Sequence, residues 1–516
     1  MGLMAHSAAV QGVQATPVEV QVDARKGAYL FTLVGLPDGA VREAKDRVEA
    51  AIYASGYHIP HRHITINLAP SDLRKEGASF DLPIAVGLLA GIGLIHSLER
   101  LNTYAMVGEL SLDGSVRAVR GVLAVATRMK AIGMTGLIVP ADNAVEAAAV
   151  DGLRVLPVRQ LSEVVEFLRG HLDLVPASFD AEKHLRDAMI NTDVDFSDVA
   201  GQEHAKRAME IAAAGGHNIL LIGPPGSGKT MLAKRMTTIL PGLRLEEALE
   251  VTKIHSVAGR LCSDQGFVTR RPFEAPHHTI SYAGLAGGGT NPKPGTISLA
   301  HGGVLFLDEL PEFSRQVLEV LRQPLEDGNI TLVRSQANVT FPARFRLVAA
   351  MNPCPCGHLG NPVVACQCTE QQVQRYRGRL SGPLLDRIDM HVEVPTIRYR
   401  ELQRSGRGEG SAAIRERVVA ARRRQAERFA DTQTVCNADM TVTQLRRLCP
   451  LETEGHRIME SVMDRLGLSA RTHDRILKVA RTIADLDGHE QIRAPHLAEA
   501  VQYRGLDRPT SIRAVS

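Results

Sequence analysis

No stretch of this chain is long and apolar enough to cross a bilayer as a helix. The longest apolar run, Leu82 to Ile95, has 14 residues and includes one proline and three glycines, against the ~20 residues that a membrane-spanning helix needs. Met1–Val20 has neither a basic start nor an apolar centre, so no secretory signal is expected. Charge of one sign is also scarce: 60 Lys and Arg stand against 57 Asp and Glu, a net +3. Any nucleic-acid contact is therefore expected from local patches and not from a global field. Seven cysteines, an odd number, argue against a disulfide framework. Sequence repeats and low-complexity tracts are missing too. These absences point to a cytoplasmic compartment and no membrane partner. A length of 516 residues with 44% hydrophobic content supports folded cores, in about three domains.

What is present begins with Asn218-Ile-Leu-Leu-Ile222, an apolar strand running into Gly223, Pro224, Pro225, Gly226, Ser227, Gly228, Lys229 and Thr230. This fits G-x-x-x-x-G-K-[ST] at every fixed position, and the residues after it continue as a helix. Glycines let backbone N–H groups close around phosphate oxygens, and the helix N-terminus adds its positive end. Lys229 can reach the outer phosphates, and the Thr230 hydroxyl suits magnesium. Downstream, Val304-Leu-Phe-Leu307 is a short apolar run ending in Asp308 and Glu309, which reads as a buried parallel strand. Asp308 can hold magnesium, and Glu309 can orient or deprotonate an attacking water. Such a strand alone is commonly structural; paired with the phosphate loop it predicts ATP hydrolysis.

The composition along the chain divides it. Residues 1–172 alternate short strands (His63–Ala69, Gly136–Val139) with helices (Val41–Tyr57, Leu82–Leu94). Residues 173–198 turn polar and acidic and read as a linker. Residues 199–395 hold the nucleotide-binding core. Residues 396–411, rich in Arg, Gly and Glu, read as a second linker, and 412–516 as a helical domain opening on an Arg-rich helix.

Asp195-Phe-Ser-Asp-Val-Ala-Gly-Gln202, the phosphate loop, Val304–Glu309 and Ala350-Met-Asn-Pro353 occur in the order of an AAA+ ATPase, which the core resembles. More narrowly, Arg271-Pro-Phe-Glu-Ala-Pro-His-His278, Ile297-Ser-Leu-Ala-His301, Leu307-Asp-Glu-Leu-Pro-Glu-Phe313 and Ser381-Gly-Pro-Leu-Leu-Asp-Arg-Ile-Asp389 resemble the magnesium-chelatase-like branch known as the YifB/ComM family, over essentially the whole chain. Glu274, where that pattern has Arg, and Thr296, where it has Glu, depart from it. The resemblance implies an α/β fold with an AAA+ core, a parallel sheet and a C-terminal helical lid. It also implies a hexameric ring motor that migrates branched or single-stranded DNA during natural transformation. By residue, it implies a water-positioning sensor at Asn352, an arginine finger at Arg387 with Arg379 as its rival, and a second sensor at Arg471 with Arg475 as its competitor. A local ion pair from Arg387 to Asp386 or Asp389 is the plainer reading of that guanidinium.

The long stretch between Lys229 and Asp308 holds a Gly-rich insertion with Tyr282, Gly284–Gly289, Lys293 and the His277–His278 pair, which in this branch faces the central pore. A hairpin over Asn329–Phe341, turning at Arg334-Ser335, is a second pore candidate. Such loops suit phosphate contacts that ignore base sequence. Adjacent histidines on a loop rarely chelate one ion without a third ligand, so backbone or pore contacts are favoured for that pair. Arg415–Arg428 has six arginines and two glutamates. It fits a solvated face, a subunit interface or a DNA contact.

Cys354-Pro-Cys356 and Cys366-Gln-Cys368 can close a tetrahedral zinc site, with His358 as a spare ligand and a redox role as the alternative. Cys262, Cys436 and Cys449 are isolated. The front domain resembles the proteolytic domain of Lon: Arg74-Lys-Glu-Gly-Ala-Ser79 lines up with its catalytic-serine segment, and Gly108–Gly114 with its next hairpin. The position of its catalytic lysine falls on Val125, which cannot take a proton, so the fold is expected without the peptidase chemistry. Two further readings stay open beside the DNA motor: the ATPase subunit of a magnesium-chelatase-type complex, and, disfavoured by Val125, a Lon-like protease.

Overall fold

A computed structural model of the chain describes residues 3–96, 98–188, 194–261, 266–289, 292–333, 338–361, 364–396 and 408–505. The front domain is built on a seven-stranded sheet. Its strands run, from one edge to the other, Leu30–Val34, Arg62–Ala69, Gln14–Lys26, Leu3–Gln11, Tyr104–Met106, Gly136–Pro140 and Arg154–Val158. The long hairpin Leu3–Gln11/Gln14–Lys26 is antiparallel, and the strands from Tyr104 onward run parallel to Leu3–Gln11. Alternation decides which face is covered: in Gln14–Lys26 every second residue from Val18 to Val22 is buried. The helix Asp81–Gly91 lies on that face with Asp81 to Ala90 all buried. Its small residues allow close approach. A side-chain carbon at Gly87 or Gly91 would already stand 3.0 Å from Val22. Burying Asp81 is tolerable because Arg47 grips both its oxygens (2.8 and 3.0 Å) and Leu110 N–H donates to it.

The second sheet is wholly parallel, in the order Phe273–Glu274, Val304–Leu307, Arg346–Met351, Ile219–Ile222, Met390–Glu393. Ile219–Ile222 and Val304–Leu307 are buried at every residue. That explains why they read as continuous apolar runs and not as alternating ones. Parallel pairing also aligns the carboxyl ends. Ile222 lies opposite Met351 and Leu307 opposite Ala349, so the residues that follow, Gly223, Asp308 and Asn352, emerge at one edge of the sheet.

Helices Glu203–Gly215 and Lys229–Ile239 pack with C-terminal helices Ser411–Arg428 and Ala470–Leu486 in one continuous apolar cluster. The C-terminal helices thus share a core with the ATPase sheet. The segments read as linkers are partly structured. Residues 173–198 contain the helix Ala181–Ala188, with Ala181 and Leu185 buried. Phe196 is fully buried, and the Asp195 carboxylate accepts from Ser411 N–H at 3.1 Å. Of the second linker, residues 397–407 lie outside the described residues.

The front domain meets the core through its helix Val122–Ala131 and the core helix Leu245–Ala258. Leu243, Ala248 and Phe267 join Val122, Val125 and Met129 in one buried cluster. Beside it, Ser256 accepts from Gly121 N–H (2.9 Å) and donates to the buried Glu146 carboxylate (2.6 Å). Val125, at 2% exposure, is an apolar residue of this junction.

A candidate nucleotide-binding and hydrolysis site

The phosphate loop folds as its residue types require. Gly228 caps the helix Lys229–Ile239 at φ 92°, a left-handed conformation that side chains resist. Gly223 is needed for closeness, since a side-chain carbon there would lie 2.1 Å from the Val394 carbonyl. Gln202 braces the loop from outside, donating to the carbonyls of Pro395 (2.5 Å) and Ser227 (3.4 Å).

The structure brings together the residues that the motifs nominated at the sheet edge. Lys229 Nζ donates to the carbonyls of Gly223 (2.7 Å) and Pro224 (2.8 Å) and to Asn352 Oδ1 (3.4 Å). Burial pulls the Lys229 pKa below its usual value, against the opposing pull of Asp308 and Glu309. Thr230 donates its hydroxyl proton to Asp308 Oδ2 at 2.8 Å. Ser227 Oγ is buried without a hydrogen-bond partner. A buried hydroxyl with nothing to bond, a lysine folded back on its own loop, and adjacent Thr and Asp oxygens form a donor and ligand set that fits a triphosphate with magnesium.

The arginines sit elsewhere. Arg387 is ion-paired to Glu326 and donates to the Pro383 carbonyl at 2.6 Å. Its partner is therefore neither Asp386 nor Asp389, the two acids expected from proximity in sequence. Arg471, exposed at the start of helix Ala470–Leu486, and Arg475 also act electrostatically on Glu326 and help hold its pKa down. Arg475 is ion-paired to Asp389. Burial alone would raise the Asp389 pKa, yet Arg475 and His217 hold it far below the usual carboxylate range. Breaking such a buried pair costs about 3–5 kcal/mol, so Arg475 is a fixed structural partner. Arg379 donates to Glu312 at 2.7 Å, within the loop that follows the acid strand of its own chain.

Some nominated residues have other work. In the Arg-rich helix, Arg417 pairs with Glu210 and Glu409, Arg422 donates to the Ala213 carbonyl, Arg424 to the Asp485 carbonyl, and Arg428 pairs with Asp485. These four arginines of the helix bind their own chain. The Gly-rich insertion and the hairpin Asn329–Val333/Asn338–Pro342 are neighbours: a side-chain carbon at Gly287 would lie 3.2 Å from Leu332. Tyr282 is 41% exposed and Val333 70%, while the hairpin tip with Arg334, like Cys262, lies outside the described residues. Thr296 Oγ1 ties the insertion to the Gly284 carbonyl at 3.3 Å.

His278, read from the sequence as part of a pore-facing insertion, lies instead beside Glu309. Its Nδ1 lies 3.3 Å from Glu309 Oε2. Sequence carried no signal for this: Phe273–Glu274 pairs in parallel with Val304–Leu307, and only that pairing carries the residues after it to the same edge as Glu309. Among the described residues, His277 and His278 have no third metal-type ligand clustered with them, whereas the sulfurs of Cys354, Cys356, Cys366 and Cys368 cluster within 4.8 Å of one another.

A parallel sheet with a phosphate loop after one inner strand, an acid pair at the end of the next strand but one, and an asparagine at the end of the strand between them defines a P-loop ATPase of the AAA+ type. Family profiles agree: magnesium chelatase, subunit ChlI, matches residues 195–402, its C-terminal part 408–504, and a further ChlI profile 18–143. The uncharacterized protein YifB of Escherichia coli is 48% identical over 506 residues, covering 98% of this chain and 97% of YifB. The competence protein ComM of Haemophilus influenzae is 46% identical over 505 residues, with the same coverage. A magnesium-chelatase 38 kDa subunit of Acidiphilium rubrum is 24% identical over 340 residues, covering 58% of this chain and 87% of that subunit. The chain belongs to the YifB/ComM family of magnesium-chelatase-like AAA+ ATPases. As such it takes ATP and magnesium, and none of its described helices is long and apolar enough to cross a membrane.

Proposed function

We propose that the protein is an ATP-driven ring motor acting on DNA, a helicase or branch-migration enzyme that assembles as a hexamer. Its full-length similarity to a relative named as a competence protein carries this reading. In this reading Lys229 holds the outer phosphates, Thr230 and Asp308 hold magnesium, Glu309 activates water and Asn352 positions it. Magnesium, when bound, neutralises phosphate charge as hydrolysis proceeds. Arg387, ion-paired to Glu326 and not to an acid of the Lys229–Asp308–Glu309 group, is the arginine finger for a neighbouring subunit's nucleotide, and Arg471, which also acts on Glu326, is the second sensor. Exposed Tyr282 and Lys293, beside the hairpin, supply contacts to the DNA backbone. Cys354, Cys356, Cys366 and Cys368 hold a structural zinc ion, because four thiolates leave no open position for a substrate water. The front domain keeps a Lon-like fold without peptidase chemistry, in keeping with the buried Val125.

The metal-insertion reading is weaker, because the chelatase subunit aligns over only 58% of this chain. ATPase activity measured with and without single-stranded and forked DNA separates the two. Stimulation by DNA, with binding that weakens steeply with salt and little with base sequence, is expected. An assembled ring that neither binds DNA at low salt nor responds to it would move the assignment to metal insertion.

A further inference from the structure

The four-cysteine loop is built onto the ATP site. It starts two residues beyond Asn352, at the end of strand Arg346–Met351, and its first cysteine is fully buried. The sulfurs of Cys354, Cys356 and Cys366 stand 3.4, 3.6 and 3.6 Å apart, and all four sulfurs lie within 4.8 Å of one another. Four sulfurs at ~2.3 Å around one zinc ion would be separated by about 3.8 Å, close to this spacing. Backbone N–H groups point at the sulfurs as well: Leu359 to Cys354 (3.3 Å), Cys356 to Cys368 (3.4 Å) and Cys368 to Cys366 (3.5 Å). Such donors stabilise thiolates and orient them as ligands.

Directly after the second cysteine, Gly357 turns at φ 80° against the phosphate loop. A side-chain carbon there would lie 2.5 Å from Pro225 Cδ and 3.9 Å from Asn352 Cγ. The thiolate loop therefore touches the middle of the phosphate loop on one side and continues into the Asn352 backbone on the other. Asn352 in turn accepts from Lys229.

We infer that the metal held by these four thiolates positions the ATP site: it clamps Gly357 against Pro225 and fixes Asn352, so hydrolysis depends on a metal that never touches the nucleotide. The inference rests on the zinc reading given above. Cys354, Cys356, Cys366, Cys368 and Gly357 are positioning residues in it. A displacement on the order of 1 Å at a reacting centre can cost ~100-fold in rate, which makes the turnover number, more than nucleotide affinity, the sensitive quantity.

The test uses the full-length protein, with metal content measured by elemental analysis and with nucleotide binding and turnover measured separately. Wild type is expected to carry one zinc per chain; metal-free protein with full activity would overturn the zinc reading itself. Gly357→Ala should keep its zinc and lose turnover by about tenfold or more, with a smaller change in nucleotide Kd. Gly360→Ala is the matched control. It has the same left-handed backbone (φ 78°) but nothing within 4 Å of the added carbon, so it should keep both zinc and turnover. Equal losses in the two variants would mean backbone strain alone and would overturn the coupling, as would full turnover in Gly357→Ala. Should either variant fail to fold, stripping wild type with a zinc-selective chelator in excess magnesium decides the matter. Turnover should fall and return on adding zinc, and a metal-stripped protein of unchanged turnover refutes the coupling while leaving the zinc site standing.

Discussion

His278 Nδ1 lies 3.3 Å from Glu309 Oε2, across the carboxyl edge of the central sheet. Glu309 sits at φ 53°, a left-handed conformation that costs a non-glycine residue about 1–2 kcal/mol. It is held there by its N–H on Asp308 Oδ1 (2.9 Å) and by Glu312 N–H on its carbonyl (2.7 Å). If Glu309 activates water, as proposed, its carboxylate must leave the imidazole to do so. His278→Ala should release it and raise basal, DNA-independent ATPase by about 2–5-fold, a loss of one exposed contact being worth under ~1 kcal/mol. The ratio of DNA-stimulated to basal rate should shrink. Unchanged basal turnover would mean that the pair does not restrain Glu309.

With Lys229 holding phosphate and Glu309 activating water, as proposed, nucleotide binding and turnover should depend on different residues. Lys229→Ala should weaken nucleotide affinity, while Glu309→Gln should bind ATP normally and turn over at least about 100-fold more slowly. Equilibrium binding of a fluorescent nucleotide beside single-turnover hydrolysis measures both. Full hydrolysis by Glu309→Gln would remove that residue from the water-activating role.

Arg387, ion-paired to Glu326, is expected to reach the nucleotide of an adjacent subunit. Chains carrying Arg387→Ala and chains carrying Glu309→Gln should each be inactive alone. Mixed rings contain interfaces in which both groups are intact, so mixing should restore part of the activity. Arginine fingers contribute about 10³–10⁵ in rate, so even a small fraction of repaired interfaces is detectable. No recovery in rings shown to be mixed would argue for a role within one chain.

Acid stability should depend on His391. It is buried on the strand Met390–Glu393 beside the phosphate-loop strand, and neither ring nitrogen has a hydrogen-bond partner. Burial first, and then the nearby Arg504, lower its pKa to about 3. Between pH 6.5 and about 3 the unfolded chain binds a proton at His391 that the folded chain refuses. Stability therefore rises with pH across this window and is lost on acidification, by up to ~1.4 kcal/mol per pH unit. His391→Leu should flatten that slope in denaturant titrations at pH 6.5, 5.5 and 4.5; an unaltered slope would exclude His391 as its source.

The residues gathered at the sheet edge were legible in the sequence because each part is local. A glycine pattern next to a strand, two acids closing an apolar run, and an asparagine after another strand are short-range signals, and parallel pairing brings all three to one edge. The thiolate cluster was legible for the same reason. The fates of the arginines were not. Arg417, Arg422, Arg424 and Arg428 look like one basic face when read along the helix, but their partners Glu210, Ala213 and Asp485 lie far away in sequence. Arg387 likewise passes over the acids beside it for Glu326. His278 became a neighbour of Glu309 only when strand Phe273–Glu274 took its place beside Val304–Leu307, and Gly357 met Pro225 only when strand Arg346–Met351 lined up with Ile219–Ile222. Sequence alone determined which groups can do chemistry, since that depends on residue type and near spacing. Tertiary structure decided which groups face one another, because charges and contacts act through distance in space and sheet order is not written in any local stretch of the chain.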